Sequence, residues 1–423
     1  MKNALSLFLL FSALSAQAQL PDHVYNEDIH GVKLFKYGDI YSYPVIKLNG
    51  GDQLELHFDD MGGGVKNYYY SYQLCNADWT PSLLQSFDYI RGFQSTRITT
   101  YRNSSLVNTR YMHYQAVIPD RSSTPIRSGN YLLKVFLNND TSQLLFTKRF
   151  LVVESKVAVA AQMLSPFNVQ LTRTDQRVHV AVSTVNSQIN VMSPQDLKLV
   201  VLQNNIWPSA AIVNRPTIYR GNYYEYNDDA TTFPAGREWR WVDLRSVRLM
   251  SDRVQKIIDT SKQVDVYVKP DGERRGQIYV YYRDLNGVYT IENSDGNNPF
   301  WQSEYSYVHF TFVPPARQAY PGKDIYLFGE LTNYAMDDAS RMVFNQDKGV
   351  YEGTLFLKQG YYNYSYVSVD AKDKTPGRFS FASTEGDFNT TENNYTVLVY
   401  YRAFGARADE LIGFAQLNSI VLR

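Results

Sequence analysis

The chain has 423 residues, and its 42 Lys and Arg are balanced by 42 Asp and Glu. That balance excludes the strong basic footprint of a nucleic-acid binder and tight adsorption to anionic lipid. A single cysteine excludes a small disulfide-stapled domain and any zinc site built on cysteines.

The first element in chain order is an export signal. Lys2 supplies a positive start, residues 5–14 form an apolar run, and Ala16-Gln17-Ala18 is a small-x-small motif that places cleavage between Ala18 and Gln19. The run is shorter than the roughly 20 apolar residues of a membrane-spanning helix. No cysteine follows the cleavage point, so the mature chain is expected to leave as a soluble protein without a lipid anchor.

Thirty-five Tyr and 22 Phe favour pleated, half-buried surfaces, and period-2 patterns recur along the whole chain. The predicted class is all-β, with three consecutive immunoglobulin-like β-sandwich domains after the cleaved signal peptide (1–18). In the first (19–155), Leu54, Leu56 and Phe58 alternate with Gln53, Glu55 and His57. Tyr68, Tyr70, Tyr72 and Leu74 share one face of the next run, and Tyr131, Leu133, Val135 and Leu137 share one face of another. Cys75 ends the aromatic run YYYSYQLC and is read as a buried, inert thiol. Residues 82–102 form a long polar and aromatic connection, from which Arg91, Arg97 and Arg102 are candidates to reach a partner's carboxylates.

The middle domain (156–315) has predicted strands at 178–182, 197–202, 264–268, 277–282 and 305–313. Asp284-Leu285-Asn286-Gly287 marks a turn, because Asn-Gly readily takes positive φ. Val247, Met250, Val254 and Ile257 suit a short amphipathic helix, whereas Val247 and Leu249 equally suit the start of a strand; the pattern leaves both open. Arg237-Glu238-Trp239-Arg240-Trp241 is the most suggestive cluster. Alternation sets Trp239 and Trp241 on one face and charged neighbours on the other. Such a stretch is either a strand with its aromatics in the core or a contact patch in which Arg237, Trp239, Arg240 and Trp241 anchor a partner. The remaining tryptophans, Trp79, Trp207 and Trp301, are further candidate anchors. The C-terminal domain (316–423) has predicted strands at 324–328, 349–357, 361–369, 395–401 and 417–423.

Catalytic patterns are absent from the sequence. The six histidines show no zinc-type spacing, there is no G-x-S-x-G elbow, and Gly62-Gly63-Gly64 lacks the Gly-Lys-Ser/Thr ending of a phosphate loop. Asp59-Asp60, Asp228-Asp229 and Asp337-Asp338 are adjacent pairs, which in strands point to opposite faces. Asp295-Gly296-Asn297-Asn298 matches no EF-type calcium loop. No catalytic, cofactor-binding or metal-ligating residue is therefore predicted, and contact is the remaining mode of action.

Three stretches carry a resemblance. The first runs through Tyr37-Gly38, Pro44, Tyr68-x-Tyr-x-Tyr72, Cys75-Asn76-Ala77-Asp78-Trp79 and Phe87-Asp88-Tyr89-Ile90-x-Gly92-Phe93. The second is Asp284-Leu285-Asn286-Gly287-x-Tyr289. The third is Glu392-Asn393-x-Tyr395-x-Val397-Leu398-Val399-Tyr400-Tyr401-Arg402-x-Phe404-Gly405-x-Arg407 with Asp409-Glu410-Leu411-Ile412-Gly413. Together they resemble the plug proteins of the type IX secretion system. The resemblance implies a periplasmic protein at the periplasmic face of the outer membrane. It would bind the β-barrel translocon and its associated proteins and close the barrel's periplasmic opening when no cargo is engaged. No cofactor, small-molecule substrate, nucleic acid or inserted membrane segment is implied. Tyr326 to Tyr334, Gly349 to Gly353 and Lys358 to Tyr364 resemble early-set immunoglobulin-like modules, which include glycogen-binding domains. That likeness implies an alternative, a periplasmic or surface glycan binder using the C-terminal domain, with Tyr334 where many relatives place a tryptophan.

Overall fold

The computed structural model describes residues 20–420 except 374 and 376. The export signal and its cleavage point, Ala18 and Gln19, lie outside the described residues. Among the described residues the regular structure is almost all strand, and the helices are turns of three or four residues.

The first sandwich follows from its alternation. One sheet orders Ile29–Lys36, Leu54–Asp60, Met112–Ile118 and Thr100–Asn103. The other orders Val45–Lys47, Leu144–Val153, Gly129–Leu137, Tyr68–Cys75 and Thr96–Arg97. Tyr72 stands opposite Leu133 and Tyr70 opposite Val135, and these side chains meet Leu54, Leu56 and Phe58 in one buried core. Period-2 spacing sends the remaining residues to the outer faces.

Strand pairing divides the rest of the chain differently from 156–315 and 316–423. Ala158–Leu164, Asp175–Ser183, Tyr223–Tyr226 and Ile218–Arg220 form one sheet. The facing sheet orders Ala211–Val213, Leu197–Gln203, Asn394–Tyr401 and Glu410–Asn418. Leu199 pairs with Val399 and Val201 with Val397 across about half the chain. Val178, Val180, Leu199, Val201, Val397 and Ile412 share one core. The second sandwich is therefore discontinuous, and a third body, from about residue 236 to 390, is inserted into it. The linear division fails because alternation specifies which face a residue takes but not which strand lies beside it.

The inserted body is a single ten-stranded sheet. Its main path runs Arg240–Asp243, Gly360–Asp370, Lys323–Phe328, Arg341–Asn345, Val350–Lys358, Tyr305–Val313, Val264–Val268 and Val254–Asp259. Phe310 and Tyr364 have three strands between them in that order, yet their rings meet at 5.0 Å. The sheet has folded over on itself around one core. Of the ambiguous stretch near 247–257, residues 247–249 lie in bends, neither helix nor strand, and a strand begins only at Val254 (Val254–Asp259), paired with Val264–Val268. Asn286 and Gly287 take φ of 53° and 83°, as their turn requires. The predicted strand at 277–282 is not paired with any other among the described residues.

The three bodies are joined on every side. Leu151 and Val153 of the first pack with Val200, Leu202, Leu398, Tyr400 and Leu411 of the second. Ile206 of the second packs with Trp239, Phe328 and Val367 of the third. The first and third meet through polar groups. Asp59 accepts from Lys358 Nζ and Tyr305 Oη, both at 2.5 Å, and Lys33 pairs with Glu330 while lying 4.1 Å from the Tyr289 ring centre. Lys33, His57, Asp59 and His113 are all buried. The outward face of the first sandwich is thus polar because another polar surface covers it.

Candidate functional site

A concavity of about 1420 Å³ opens where the three bodies meet. The first body supplies Asp22, Cys75, Trp79, Lys134 and Arg149, the second supplies Trp207 and Ile212, and the third supplies Tyr326, Tyr334, Arg341 and Arg378. Trp79 and Trp207 meet edge to face at 4.9 Å. Trp79 is held at φ 66° by a tight turn in which its N–H donates to Asn76 and Thr80 N–H donates to Asp78. A bulky residue in that left-handed region costs about 1 kcal/mol or more. The turn therefore fixes an indole that the sequence alone would leave loose.

Arg149 ties this floor together. Its guanidinium carbon lies 5.0 Å from the Trp79 ring and 5.5 Å from the Trp207 ring, while Nη1 pairs with Asp22 at 2.7 Å. Burial pushes the Asp22 carboxyl up, but Lys148 and Arg149 outweigh it and hold the group below the usual range. Trp207 Nε1 donates to Tyr43, whereas the buried Trp79 Nε1 has no acceptor among the described residues. Burial pushes the Cys75 thiol up to about 12, so it stays protonated. The cleft thus offers a rigid aromatic floor and a basic rim. These are contact groups.

Among the described residues, no cluster of three or more His, Cys, Asp or Glu side chains is placed to hold a metal ion. The first and third bodies do enclose a buried polar network. His113 Nδ1 lies 2.7 Å from Asp59 Oδ1, and His57 Nδ1 lies 3.1 Å from His113 Nε2. Phe300 stacks on His57 at 3.8 Å between ring centres. Asp60 points the other way, to Lys66 and Tyr68.

Residues 29–154 match the family model described as the type 9 secretion system plug protein 1st domain. The match spans the first sandwich from its opening strand to just past its last. The chain belongs to the type IX secretion plug family. It is also similar over its whole fold to a hypothetical protein from Parabacteroides merdae of known crystal structure. The two are 32% identical, with 95% of this chain and 100% of that chain covered and a TM-score of 0.89. None of the curated proteins matches. The plug family is a component of secretion machinery in the cell envelope, and it is not an enzyme family.

Within this plug-family chain, the predicted contact residues separate into two groups. Arg91, Arg97 and Arg102 are exposed, on the segment that crosses from one sheet of the first sandwich to the other. Arg102 also covers the Trp301 ring at 5.1 Å. The Arg237–Trp241 cluster, by contrast, is not a surface patch. Arg237, Glu238, Trp239 and Arg240 are buried, and Trp241 is half-buried against Tyr361. The strand begins only at Arg240, so simple alternation does not hold across the cluster. Arg240 donates to Asp271 at 2.7 Å and to Glu385 at 2.9 Å, and Arg237 donates to the backbone carbonyls of Arg274 and Gln277. These arginines are committed within the third body.

Tyr334 packs edge-on against Phe328 at 5.5 Å, inside the junction. The residues that the sequence did not single out are Arg149, Lys358 and the His57–His113 pair. The i, i+2 spacing of His57 and Asp59 on one strand face was the only signal available for the last of these.

The histidine pair makes the stability of this plug-family protein depend on pH. Burial lowers both rings, His57 to about 3, with His113 lowering it further and Asp59 opposing; Asp59 also opposes the shift at His113. The other charged group facing the pair is Lys358, and Phe35 and Phe300 close the apolar sides. A histidine with a depressed folded value contributes stability that is complete above its unfolded value of about 6.5. That stability is lost as pH falls, by up to about 1.4 kcal/mol per unit. Asp284 and Asp387, pushed up by burial to about 7 and about 6, act in the opposite sense. The measurement is therefore the difference in urea-unfolding stability between wild type and His57→Phe. The wild type is expected to lose ground on the variant by about 1 kcal/mol per unit from pH 6.5 to 4.5. A difference independent of pH rejects the assignment.

Proposed function

We propose that this protein sits at the periplasmic opening of the outer-membrane β-barrel translocon of the type IX system and closes it when no cargo is engaged. Family membership supports the system. The observation that carries the stopper role is that three bodies are fastened pairwise, two junctions by shared apolar cores and the third by buried ion pairs. Such a block obstructs an opening without being threaded through it.

Contact with the barrel is made by residues 82–106 of the first body. This segment exposes Leu83, Phe87, Phe93 and Leu106 beside Arg91, Arg97 and Arg102. Apolar anchors ringed by arginine suit a specific interface that must also release. The near-zero net charge of the whole chain keeps a single-sign field from capturing passing cargo.

Deleting the gene is expected to admit large antibiotics that the outer membrane normally excludes, and wild-type protein is expected to restore exclusion. The triple variant Arg91→Glu, Arg97→Glu, Arg102→Glu should fold, co-purify with the barrel at least tenfold less and fail to restore exclusion. Cells lacking the protein that stay impermeable, with the translocon assembled, overturn the proposal. Retention on an α-glucan gel that is lost in Tyr334→Ala would favour the glycan-binding alternative.

A further inference from the structure

Residues 278–283, the Ile-Tyr-Val-Tyr-Tyr-Arg stretch that overlaps the predicted strand at 277–282, run without turn or bend, and among the described residues no strand pairs with them. Among the described residues, none of the six N–H groups finds an acceptor. Of the six carbonyls only that of Ile278 is engaged, by the buried guanidinium of Arg237. The segment is nevertheless held in place. Tyr279 donates to Glu238 and to the Thr390 carbonyl, and Tyr282 donates to the Trp239 carbonyl at 2.9 Å. Ile278 is 88% exposed, Val280 62% and Tyr281 52%. The side chains fix the segment on one side and leave its backbone and apolar residues open.

Proteins ordinarily blunt such an edge with prolines, bulges or inward charges, because it templates pairing with another chain. None of these devices occurs in this stretch. Six residues span about 20 Å, enough for a short ladder of hydrogen bonds. The nearby acids are already occupied: Glu238 by Tyr279, Glu273 by Tyr320 and Arg275, and Asp284 by the N–H groups of Trp239 and Asn286. Arg283 is exposed and has no ion-pair partner among the described residues, and Arg275, whose Nε pairs with Glu273 at 3.2 Å, keeps the rest of its guanidinium exposed at the other end.

The geometry points to residues 278–283 as a docking edge for an extended strand of a partner protein, apolar at its centre and acidic at its ends. Main-chain hydrogen bonds supply the affinity. Ile278 and Val280 read the partner's apolar side chains, and Arg275 and Arg283 read its acids.

The test uses the full mature chain and a blocked peptide, Glu-Val-Thr-Val-Tyr-Val-Thr-Glu, at up to millimolar concentration, read by amide hydrogen exchange. In the free protein, the amides of 278–283 should exchange at nearly unstructured rates. With peptide, their exchange should slow at least tenfold while other segments are unchanged. A peptide of the same sequence with alternate amides N-methylated should give no protection, and one with lysines at both ends should bind at least tenfold more weakly. The inference is overturned by absence of protection at 278–283, by equal protection from the N-methylated peptide, or by protection in the free protein that rises with its own concentration. The last result would assign the edge to a second copy of this chain.

Discussion

Lys358→Met is expected to lower the stability of the folded chain by about 3–5 kcal/mol, the range found when one partner of a buried ion pair is removed. Burial pushes the Asp59 carboxyl up, but Lys358 and His113 outweigh it and hold it below the ordinary range. Lys358 also donates to the Phe300 carbonyl. Without the ammonium, Asp59 keeps only Tyr305 and His113, in a place no water reaches. Urea unfolding of the purified protein measures the loss. In a double-mutant cycle with Asp59→Leu, the double variant should recover most of it, because the cost comes from the orphaned charge and not from a large net gain of the pair. A loss under 1 kcal/mol for Lys358→Met would show that the junction between the first and third bodies does not depend on this contact. A weakened junction should also loosen the block as a whole, so the same variant is expected to restore antibiotic exclusion poorly at elevated temperature.

Arg240→Met is expected to cost a similar amount, about 3–5 kcal/mol, within the third body. Arg240 bridges Asp271 and Glu385, and it donates to the Gly272 carbonyl at 2.7 Å. Each carboxylate keeps one other arginine, Arg253 at Asp271 and Arg274 at Glu385. Tyr364 and Tyr366 both donate to Asp271. Burial raises the Glu385 carboxyl, yet Arg240 and Arg274 outweigh burial and bring it to about 2. A carboxylate with a depressed folded value contributes stability that is complete above its unfolded value and is lost as pH falls through about 2. For Glu385 that contribution is on the order of 3 kcal/mol. Arg240→Met should therefore shift the unfolding midpoint strongly at pH 7 and weakly near pH 2. Arg91→Glu, on an exposed side chain, should leave the midpoint within about 0.5 kcal/mol at either pH. The comparison separates a structural arginine from a contact arginine. Equal midpoints for Arg240→Met and wild type at pH 7 would return Arg240 to the list of contact residues.

Most strands were legible because a strand buried on one side repeats every second residue. Leu54, Leu56 and Phe58, and likewise Tyr68, Tyr70 and Tyr72, announce their inward face without reference to anything else. The Asn286-Gly287 turn was equally plain, since few other residues adopt its backbone at low cost. The same logic says nothing of what covers the outer face. His57 and Asp59 occupy positions that alternation assigns to solvent, and only the arrival of the third body buries them. For the Arg237–Trp241 stretch the sequence left a core and a contact reading open; Trp239 lies in a core, but the first three residues of the stretch lie outside any strand, so alternation does not place them. The segment at 277–282 shows the reverse: its pattern is that of a strand, but among the described residues no strand pairs with it.

Local chemistry, then, determined the all-β class, the inward face of most strands, the tight turns and the likeness to the plug family. The tertiary structure decided that the second sandwich is interrupted by an inserted body, that Asp59 meets Lys358, and that Trp79 and Trp207 share one cleft with Arg149. The reason is physical. A side chain's periodicity depends on its own strand's pleat, whereas the identity of the neighbouring strand depends on a match of register and surface between segments far apart in the chain, about which short-range pattern carries no information.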